Sequence, residues 1–196
     1  WKWLFLYPEQ GIATVNELAA PVDRPIAFKI TATSVMNAFF VPSLAGMVYA
    51  MPGMETKLHA VINRPGVYDG FSSNYSGAGF SHMRFKFHGL SNDDFDHWVQ
   101  RVKSSGTPLS KDTYLKLAKP SESEPVQRYA SVAPNLYDRI LNRCVDGQAC
   151  VADTMASNRN RGRFDPTAEI CTASNTADAM PMFAPDAVND GRRLLQ

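Results

Sequence analysis

Short alternations of apolar and polar residues fill the first half of the chain and predict a series of β-strands. Ile26, Phe28 and Ile30 alternate with small or polar residues. The clearest case is Phe85 and Phe87, which alternate with basic residues and a histidine. A period of two places alternate side chains on opposite faces of a half-buried strand. Several short strands of this kind, separated by Pro-Gly turns, predict a β-sandwich or barrel.

The spacing of apolar residues changes at Ser91 from a period of two to helical spacing, so a helical region is predicted to begin there. Ser91 to Asp94 forms a capping-box sequence, with Asp94 at the position that Glu usually takes. Apolar residues then recur at helical spacing, as Phe95, Trp98, Val99 and Val102. A second short helix is predicted after Ser110 and a third after Asn135. Because short amphipathic helices cannot bury their apolar faces alone, we expect them to pack on the sandwich or on another subunit.

These patterns divide the chain into three predicted segments. A mostly β domain is predicted over residues 1–90 and a short helical appendage over 91–145. Residues 146–196 lack periodicity and are predicted to form a polar tail, in part irregular. The basic run at 158–163 is interpreted as a solvated part of that tail.

The charge balance argues against a nucleic-acid partner. The chain has 20 Lys and Arg against 19 Asp and Glu, so no net field attracts nucleic acid or an anionic membrane. Its hydrophobic content of 44% is ordinary for a globular protein. No apolar run approaches the roughly 18 residues that a membrane helix needs. Since the sequence starts without Met, we expect a leading segment to have been removed or left out, which leaves an upstream anchor open.

The cysteines do not settle the compartment. Cys144, Cys150 and Cys171 all lie in the last third of the chain. An oxidising compartment would allow one disulfide and leave one thiol, and the sequence does not decide which two would pair. No Cys-x-x-Cys pair with partner histidines is present, so a zinc site is not predicted.

Two stretches carry a family resemblance. Residues 34–44 read Ser-Val-Met-Asn-Ala-Phe-Phe-Val-Pro-Ser-Leu, and residues 64–83 read Arg-Pro-Gly-Val-Tyr-Asp-Gly-Phe-Ser-Ser-Asn-Tyr-Ser-Gly-Ala-Gly-Phe-Ser-His-Met. They resemble the copper-site region of subunit II of the haem–copper oxidases. In the cytochrome c oxidase branch, two His, a Cys-x-x-x-Cys loop and a Met hold a two-copper centre there. The resemblance implies a cupredoxin-like Greek-key β-sandwich.

The ligand positions of that pattern hold other residue types in this chain. In chain order they correspond to a His, a Cys, a carboxylate, a second Cys, a second His and a Met, and here they are Asn37, Ser72, Asn74, Ser76, Phe80 and Met83. A mixed-valence copper pair needs bridging thiolates and imidazoles. A hydroxyl stays protonated at neutral pH, a phenyl ring has no lone pair, and a lone thioether cannot hold copper against water. We therefore predict no metal site, no cofactor and no catalytic residue in this chain.

Loss of the copper ligands is the pattern of the quinol oxidase branch. The resemblance to bo-type ubiquinol oxidases also includes residues 1–10, 95–99 and 116–121, and it covers roughly 1–145. It implies an extracytoplasmic domain of subunit II, with a structural and assembly role, on the periplasmic face of a bacterial inner-membrane complex. The haems, the copper of the oxygen site and the ubiquinol site would lie in subunit I. Subunit I and the other oxidase subunits would be the partners, and missing upstream helices would hold the domain to the membrane.

Two other function classes stay open. One is a periplasmic copper-binding cupredoxin-like protein that uses methionine and histidine ligands, for which the candidates are Met36, Met47, Met51, Met54 and His82. Irregular spacing in an apolar setting favours gap-filling packing for those methionines. The other class is a purely structural interaction domain of another assembly. Trp1 and Trp3 are predicted to pack in a core or interface, and His59 and His88 to face solvent.

Overall fold

The computed structural model of the chain describes residues 1–104 and 106–151, which are mostly β-structure. The strands are β1 (Leu4–Tyr7), β2 (Ile12–Val15), β3 (Glu17–Pro21), β4 (Ile26–Ile30), β5 (Asn37–Val41), β6 (Ala45–Ala50), β7 (Thr56–Ala60), β8 (Gly66–Ser72), β9 (Arg84–Leu90), β10 (Pro108–Leu109), β11 (Gln127–Tyr129) and β12 (Ser131–Val132). The helices are a 3-10 helix η1 (Ala78–His82) and the α-helices α1 (Asn92–Ser104), α2 (Lys111–Leu117) and α3 (Leu136–Leu141). None of the helices in this part of the chain has the length and hydropathy of a membrane span.

A five-stranded sheet with the order β3-β9-β8-β5-β6 is the main layer of the fold. β3 and β9 are parallel, and the other neighbours are antiparallel. β4 and β7 form a separate antiparallel pair. Neighbours that are distant in sequence, as β3 and β9 are, require the long connections found in Greek-key sandwiches. The predicted mostly β architecture is confirmed.

Aromatic side chains fill the main core between these layers. Phe39 and Phe85 stack with centroids 5.4 Å apart, and Trp3 meets both rings edge to face. Phe87 is fully buried beside them. Gly70 lies opposite Phe85 on the neighbouring strand, and a Cβ at Gly70 would be 2.1 Å from the Phe85 ring. Glycine is therefore required at position 70 because the ring takes the space of a side chain.

Burial follows the period of two that the sequence shows. In β9, Phe85, Phe87 and Gly89 are buried, whereas Arg84 and Lys86 are exposed. β4 and β7 alternate in the same way. The predicted strand faces are confirmed. The prediction of solvent-facing histidines is confirmed for His59, whereas His88 is half-buried.

The three predicted helices are present, and the first two have the expected side-chain caps, whereas Asn135 precedes the third without one. The Asp94 amide donates to Ser91 Oγ (3.1 Å) at the start of α1, and the Thr113 amide donates to Ser110 Oγ (3.2 Å) at the start of α2. The apolar face of α1 is buried against β2 and β3 in a cluster of Ile12, Ala19, Phe95, Trp98, Val99 and Val102. These helices therefore pack on the sandwich, which was one of the two expected arrangements.

The C-terminal part of the described chain also contains strands that the sequence pattern did not predict. β11 pairs antiparallel with β2, so it completes a three-stranded sheet β1-β2-β11 with the start of the chain. β10 and β12 form a short parallel pair. A disulfide joins Cys144 and Cys150. The division at residues 90 and 145 stays a prediction, and most of the predicted tail, including the basic run 158–163 and Cys171, lies outside the described residues.

Candidate functional site

We call the six positions that correspond to copper ligands in the family resemblance the loop site, and strand pairing brings three of them, Asn37, Ser72 and Met83, together at one end of the five-stranded sheet. Asn37 opens β5, and Ser72 closes the neighbouring strand β8. Met83 comes directly before β9, and its carbonyl accepts a hydrogen bond from the Ser72 amide (3.0 Å). The segment from Ser73 to His82, with η1 at its end, connects β8 to this point. The strand pairing thus brings together residues that are distant in sequence.

Asn37 and Ser72 form the buried centre of the loop site. Their relative exposures are 8% and 3%. Ser72 Oγ donates to Asn37 Oδ1 over 3.4 Å, and the Ala38 amide donates to Ser72 Oγ over the same distance. Both hydrogen bonds are long and therefore weak. A hydroxyl and an amide here contact each other, at positions where the family resemblance predicts a thiolate and an imidazole in copper-binding members.

The other loop-site residues are used for packing or for backbone contacts. Asn74 Nδ2 donates to the carbonyls of Met36 (3.3 Å) and Tyr75 (3.2 Å). The Phe80 ring packs on Tyr75, with centroids 5.8 Å apart. Met83 is buried in the main core. Ser76 Oγ is buried and has no hydrogen-bond partner among the residues that the structure describes.

Trp1 covers the loop that holds Ser76. Its indole Nε1 donates to the Ser76 carbonyl (2.8 Å), and its ring lies against two glycines. A Cβ at Gly77 or Gly79 would come within 2.8 or 2.5 Å of this ring, and Gly77 also has a φ of +113°. Both glycines are therefore needed for the close approach of the indole. The predicted packing role is confirmed for Trp3, which is buried in the core, and Trp1 packs partly buried against the same core.

The donor set of the loop site does not fit a dinuclear copper centre. It offers two hydroxyls, two amides, a phenyl ring and one thioether, with no thiolate and no imidazole. His82, the nearest imidazole in sequence, has Nδ1 3.7 Å from Glu122 Oε2. No cluster of three or more His, Cys, Asp or Glu able to hold a metal ion occurs within residues 1–104 and 106–151.

The methionines do not behave as the sequence pattern indicated. Gap-filling packing is wrong for Met36, Met47 and Met54, whose relative exposures are 41%, 44% and 55%. Met36 lies in the loop before β5, and Met47 lies on the edge strand β6. Edge and loop positions leave one side of a residue without a neighbour, so apolar character alone did not predict burial.

The sequence analysis did not predict a charged network in the sandwich. Glu17 is 6% exposed and accepts two hydrogen bonds from Arg128, at 2.7 and 2.8 Å. His88 Nε2 lies 3.5 Å from the same carboxylate. The hydrogen bond to Glu17 is the main cause that raises the pKa of the Arg128 guanidinium, and the negative charge of Glu17 also raises it, whereas burial lowers it. The sequence carried one sign of this network, which is the glutamate at position 17 within the run from Ile12 to Ala20. All residues of that run are buried in the structure.

Two protein families match the chain, and together they cover most of its described part. The family described as cytochrome c oxidase subunit II, periplasmic domain, matches residues 9–89. The family described as COX aromatic rich motif matches residues 103–148. The first match contains the loop site, and the second contains α2, α3 and the strands near them.

Curated relatives and a solved structure agree with these matches. Cytochrome bo(3) ubiquinol oxidase subunit 2 of Pseudomonas aeruginosa is 54% identical over 143 residues, which are 73% of this chain and 43% of the relative. Ubiquinol oxidase subunit 2 of Acetobacter aceti is 54% identical over 147 residues, 75% of this chain and 48% of the relative. This chain therefore spans less than half the length of either relative.

The periplasmic domain of subunit II of cytochrome oxidase of Bradyrhizobium japonicum superposes on the chain with a TM-score of 0.52. The match has 22% identity and covers 54% of this chain and 88% of that structure. At this identity the likeness shows the fold alone. The predicted cupredoxin-like sandwich is confirmed.

Proposed function

Since this chain belongs to the oxidase subunit II family, we propose that it is the extracytoplasmic domain of subunit II of a ubiquinol oxidase. Such an oxidase transfers electrons from ubiquinol to oxygen and pumps protons, and the domain itself carries no redox centre. The observation that carries this proposal is the loop site. Strand pairing places Asn37, Ser72 and Met83 together, and the six loop-site side chains are hydroxyls, amides, a phenyl ring and a thioether.

The chemistry of the electron donor explains why such a domain needs no metal. A water-soluble donor protein must dock on the outer domain and pass its electrons through a metal relay. Ubiquinol is soluble in the bilayer and delivers electrons inside the membrane part of the complex, so no relay is needed outside it. In this proposal the haems, the oxygen-site copper and the quinol site belong to subunit I, and this domain assists assembly on the periplasmic side of the inner membrane.

Metal analysis tests the loop site directly. After incubation with excess copper and removal of unbound metal, the chain is expected to hold no stoichiometric copper and to show no thiolate–copper absorption band. This follows because no loop-site residue supplies a thiolate or an imidazole. Two coppers per chain with a purple colour would contradict the proposal. Colourless copper bound through the exposed methionines would favour the alternative, a periplasmic copper-binding protein.

Turnover in the assembled oxidase tests the electron path. Ser72→Ala removes a loop-site hydroxyl whose hydrogen bonds are long, so ubiquinol oxidation per haem is expected to stay within about twofold of the unchanged protein. Ser91→Ala, which removes a helix cap outside the loop site, is a matched control for general destabilisation. A large loss of turnover per haem from Ser72→Ala alone would place the domain on the electron path.

A further inference from the structure

A cavity of about 260 Å³ lies between the sandwich and its helical cover, away from the loop site. Glu17 of β3, His88 and Leu90 of β9, Trp98 and Arg101 of α1, and Arg128 of β11 line it. Its walls thus come from both ends of the described chain. One water molecule takes about 30 Å³ in the liquid, so the cavity has room for a molecule of several non-hydrogen atoms.

Among the described residues that line this cavity, the charges leave a positive excess. The Glu17 carboxylate is neutralised by its two hydrogen bonds to Arg128, and His88 contacts it as well. Arg101 is the second guanidinium in the wall, and no carboxylate of residues 1–104 and 106–151 lies within ion-pair distance of it. An unopposed guanidinium beside a neutralised ion pair attracts an anion.

A second observation concerns Trp98, whose ring forms part of the cavity wall. Trp98 is 4% exposed, and its indole Nε1 has no acceptor within the described part of the chain. Because this nitrogen is fully covered, a water-sized group in the cavity does not reach it, and the indole ring rather than its N–H borders a bound anion. Trp98 and Arg101 are three residues apart on α1 and therefore lie side by side on the helix surface.

We propose that this cavity binds a small oxyanion, a phosphate or a carboxylate, through Arg101, with Trp98 and the Glu17–Arg128 pair as its walls. A guanidinium matches the two oxygens of either group in a bidentate geometry. Leu90 forms an apolar wall, which suits an anionic group carried by a short organic chain. The oxyanion can be a free ion or the headgroup of a lipid. This site does not depend on the oxidase assignment, because none of its residues belongs to the loop site.

Indole N–H signals in nitrogen-15 NMR of the 196-residue chain test the site. The chain has three tryptophans, and Trp3 provides an internal control. Its Nε1 is also buried and has no acceptor among the residues that the structure describes, but Trp3 does not line the cavity. The probes are inorganic phosphate, acetate and dihexanoyl phosphatidylglycerol, at constant ionic strength. A saturable shift of the Trp98 signal, with the Trp3 signal unmoved, is the expected result.

Two variants on the same helix separate specific binding from general charge effects. Arg101→Gln is expected to weaken the apparent affinity at least about tenfold. Lys103→Gln removes an exposed charge that does not line the cavity and is expected to leave the affinity unchanged. Similar affinities for phosphate and acetate support a free oxyanion, and much tighter binding of the lipid supports a headgroup. No Trp98 shift with any probe, or equal affinity in Arg101→Gln, would overturn the proposal.

Discussion

Single residues define what the loop site can and cannot do. Asn37 and Ser72 touch each other at its buried centre, and the Met83 backbone is tied to Ser72. The strands therefore hold these three positions close together. What differs from a copper site is the chemistry of the side chains.

Restoring the ligand types is expected to restore metal binding. The variant carries five substitutions around the unchanged Met83, namely Asn37→His, Ser72→Cys, Asn74→Glu, Ser76→Cys and Phe80→His. Because Asn37 and Ser72 are already in contact, we expect copper to bind with a thiolate charge-transfer absorption. The comparison variant keeps the two serines and changes only the other three positions, and it is expected to stay colourless. A folded five-fold variant without colour in excess copper would show that the loop backbone cannot hold the pair.

A buried tyrosine gives the fold a dependence on alkaline pH. Burial raises the pKa of Tyr114 to about 12, whereas an unfolded tyrosine ionises near 10. Above pH 10 the unfolded chain loses this proton first, so the free energy of unfolding falls as pH rises from about 10 to 12. The loss from this residue is on the order of 2–3 kcal/mol. Below pH 10 its contribution is independent of pH.

Urea unfolding at pH 9 and pH 11 measures this effect. Tyr114→Phe keeps the ring but removes the ionisable hydroxyl, so this variant is expected to lose less stability between the two pH values. The pKa values of Tyr7, Tyr129 and Tyr137 are also raised, mainly by burial, so part of the alkaline loss remains in the variant. Tyr75→Phe is the control, because Tyr75 is 76% exposed. Equal losses in Tyr114→Phe and the unchanged chain would contradict the assignment.

At the scale of elements, α1 is the main helical cover of the sandwich. Its apolar side chains recur at helical spacing and are buried against β2 and β3. Phe95 and Trp98 stack on each other with centroids 5.9 Å apart, and Tyr7 of β1 packs on Trp98. The helix therefore depends on tertiary packing, and its cap at Ser91 fixes only where it begins.

Removing this aromatic packing is expected to reduce the stability of the domain and the amount of assembled oxidase. Phe95→Ala and Trp98→Ala each remove a buried aromatic side chain and should each cost about 3–5 kcal/mol of unfolding free energy. The measurements are urea unfolding of the chain and haem content of membranes that carry each variant. Gln100→Ala, on the exposed side of the same helix, is the matched control. Turnover per assembled haem should be preserved, and its loss without a loss of haem would argue against a structural role.

At the scale of the whole described molecule, the Glu17–Arg128 pair joins residues 111 positions apart. It connects β3 of the main sheet to β11, and β11 itself pairs with β2. The late part of the chain is thereby fixed to the first strands by an ion pair and by backbone hydrogen bonds. This long-range connection also forms one wall of the proposed oxyanion cavity.

Breaking the pair is expected to destabilise the fold more than breaking a surface pair. Arg128→Gln leaves the buried Glu17 carboxylate without its main partner and should lower the free energy of unfolding by about 3 kcal/mol. This value is at the lower end for buried ion pairs because the Arg128 side chain is 46% exposed. The control is Asp69→Asn at the Lys86–Asp69 pair, whose side chains are both mostly exposed, and it should cost at most about 1 kcal/mol. Urea unfolding compares the two, and equal costs would show that the Glu17 pair adds nothing beyond a surface contact.

The sequence by itself determined the features that depend on neighbours along the chain. The period of two in β9, the Ser91 cap and the helical spacing from Phe95 to Val102 are local patterns, and the structure has all of them. The identity of the loop-site residues was also readable, because ligand chemistry depends on residue type. The predicted absence of copper there remains for experiment to test.

Only the tertiary structure decided which distant residues meet. The pairing of β11 with β2, the Glu17–Arg128 ion pair and the Cys144–Cys150 disulfide have no signal in local periodicity. The exposure of Met36 was mispredicted for a related reason. Burial depends on what the rest of the chain places beside a residue, and hydrophobic character fixes only the free energy gained if a neighbour is there.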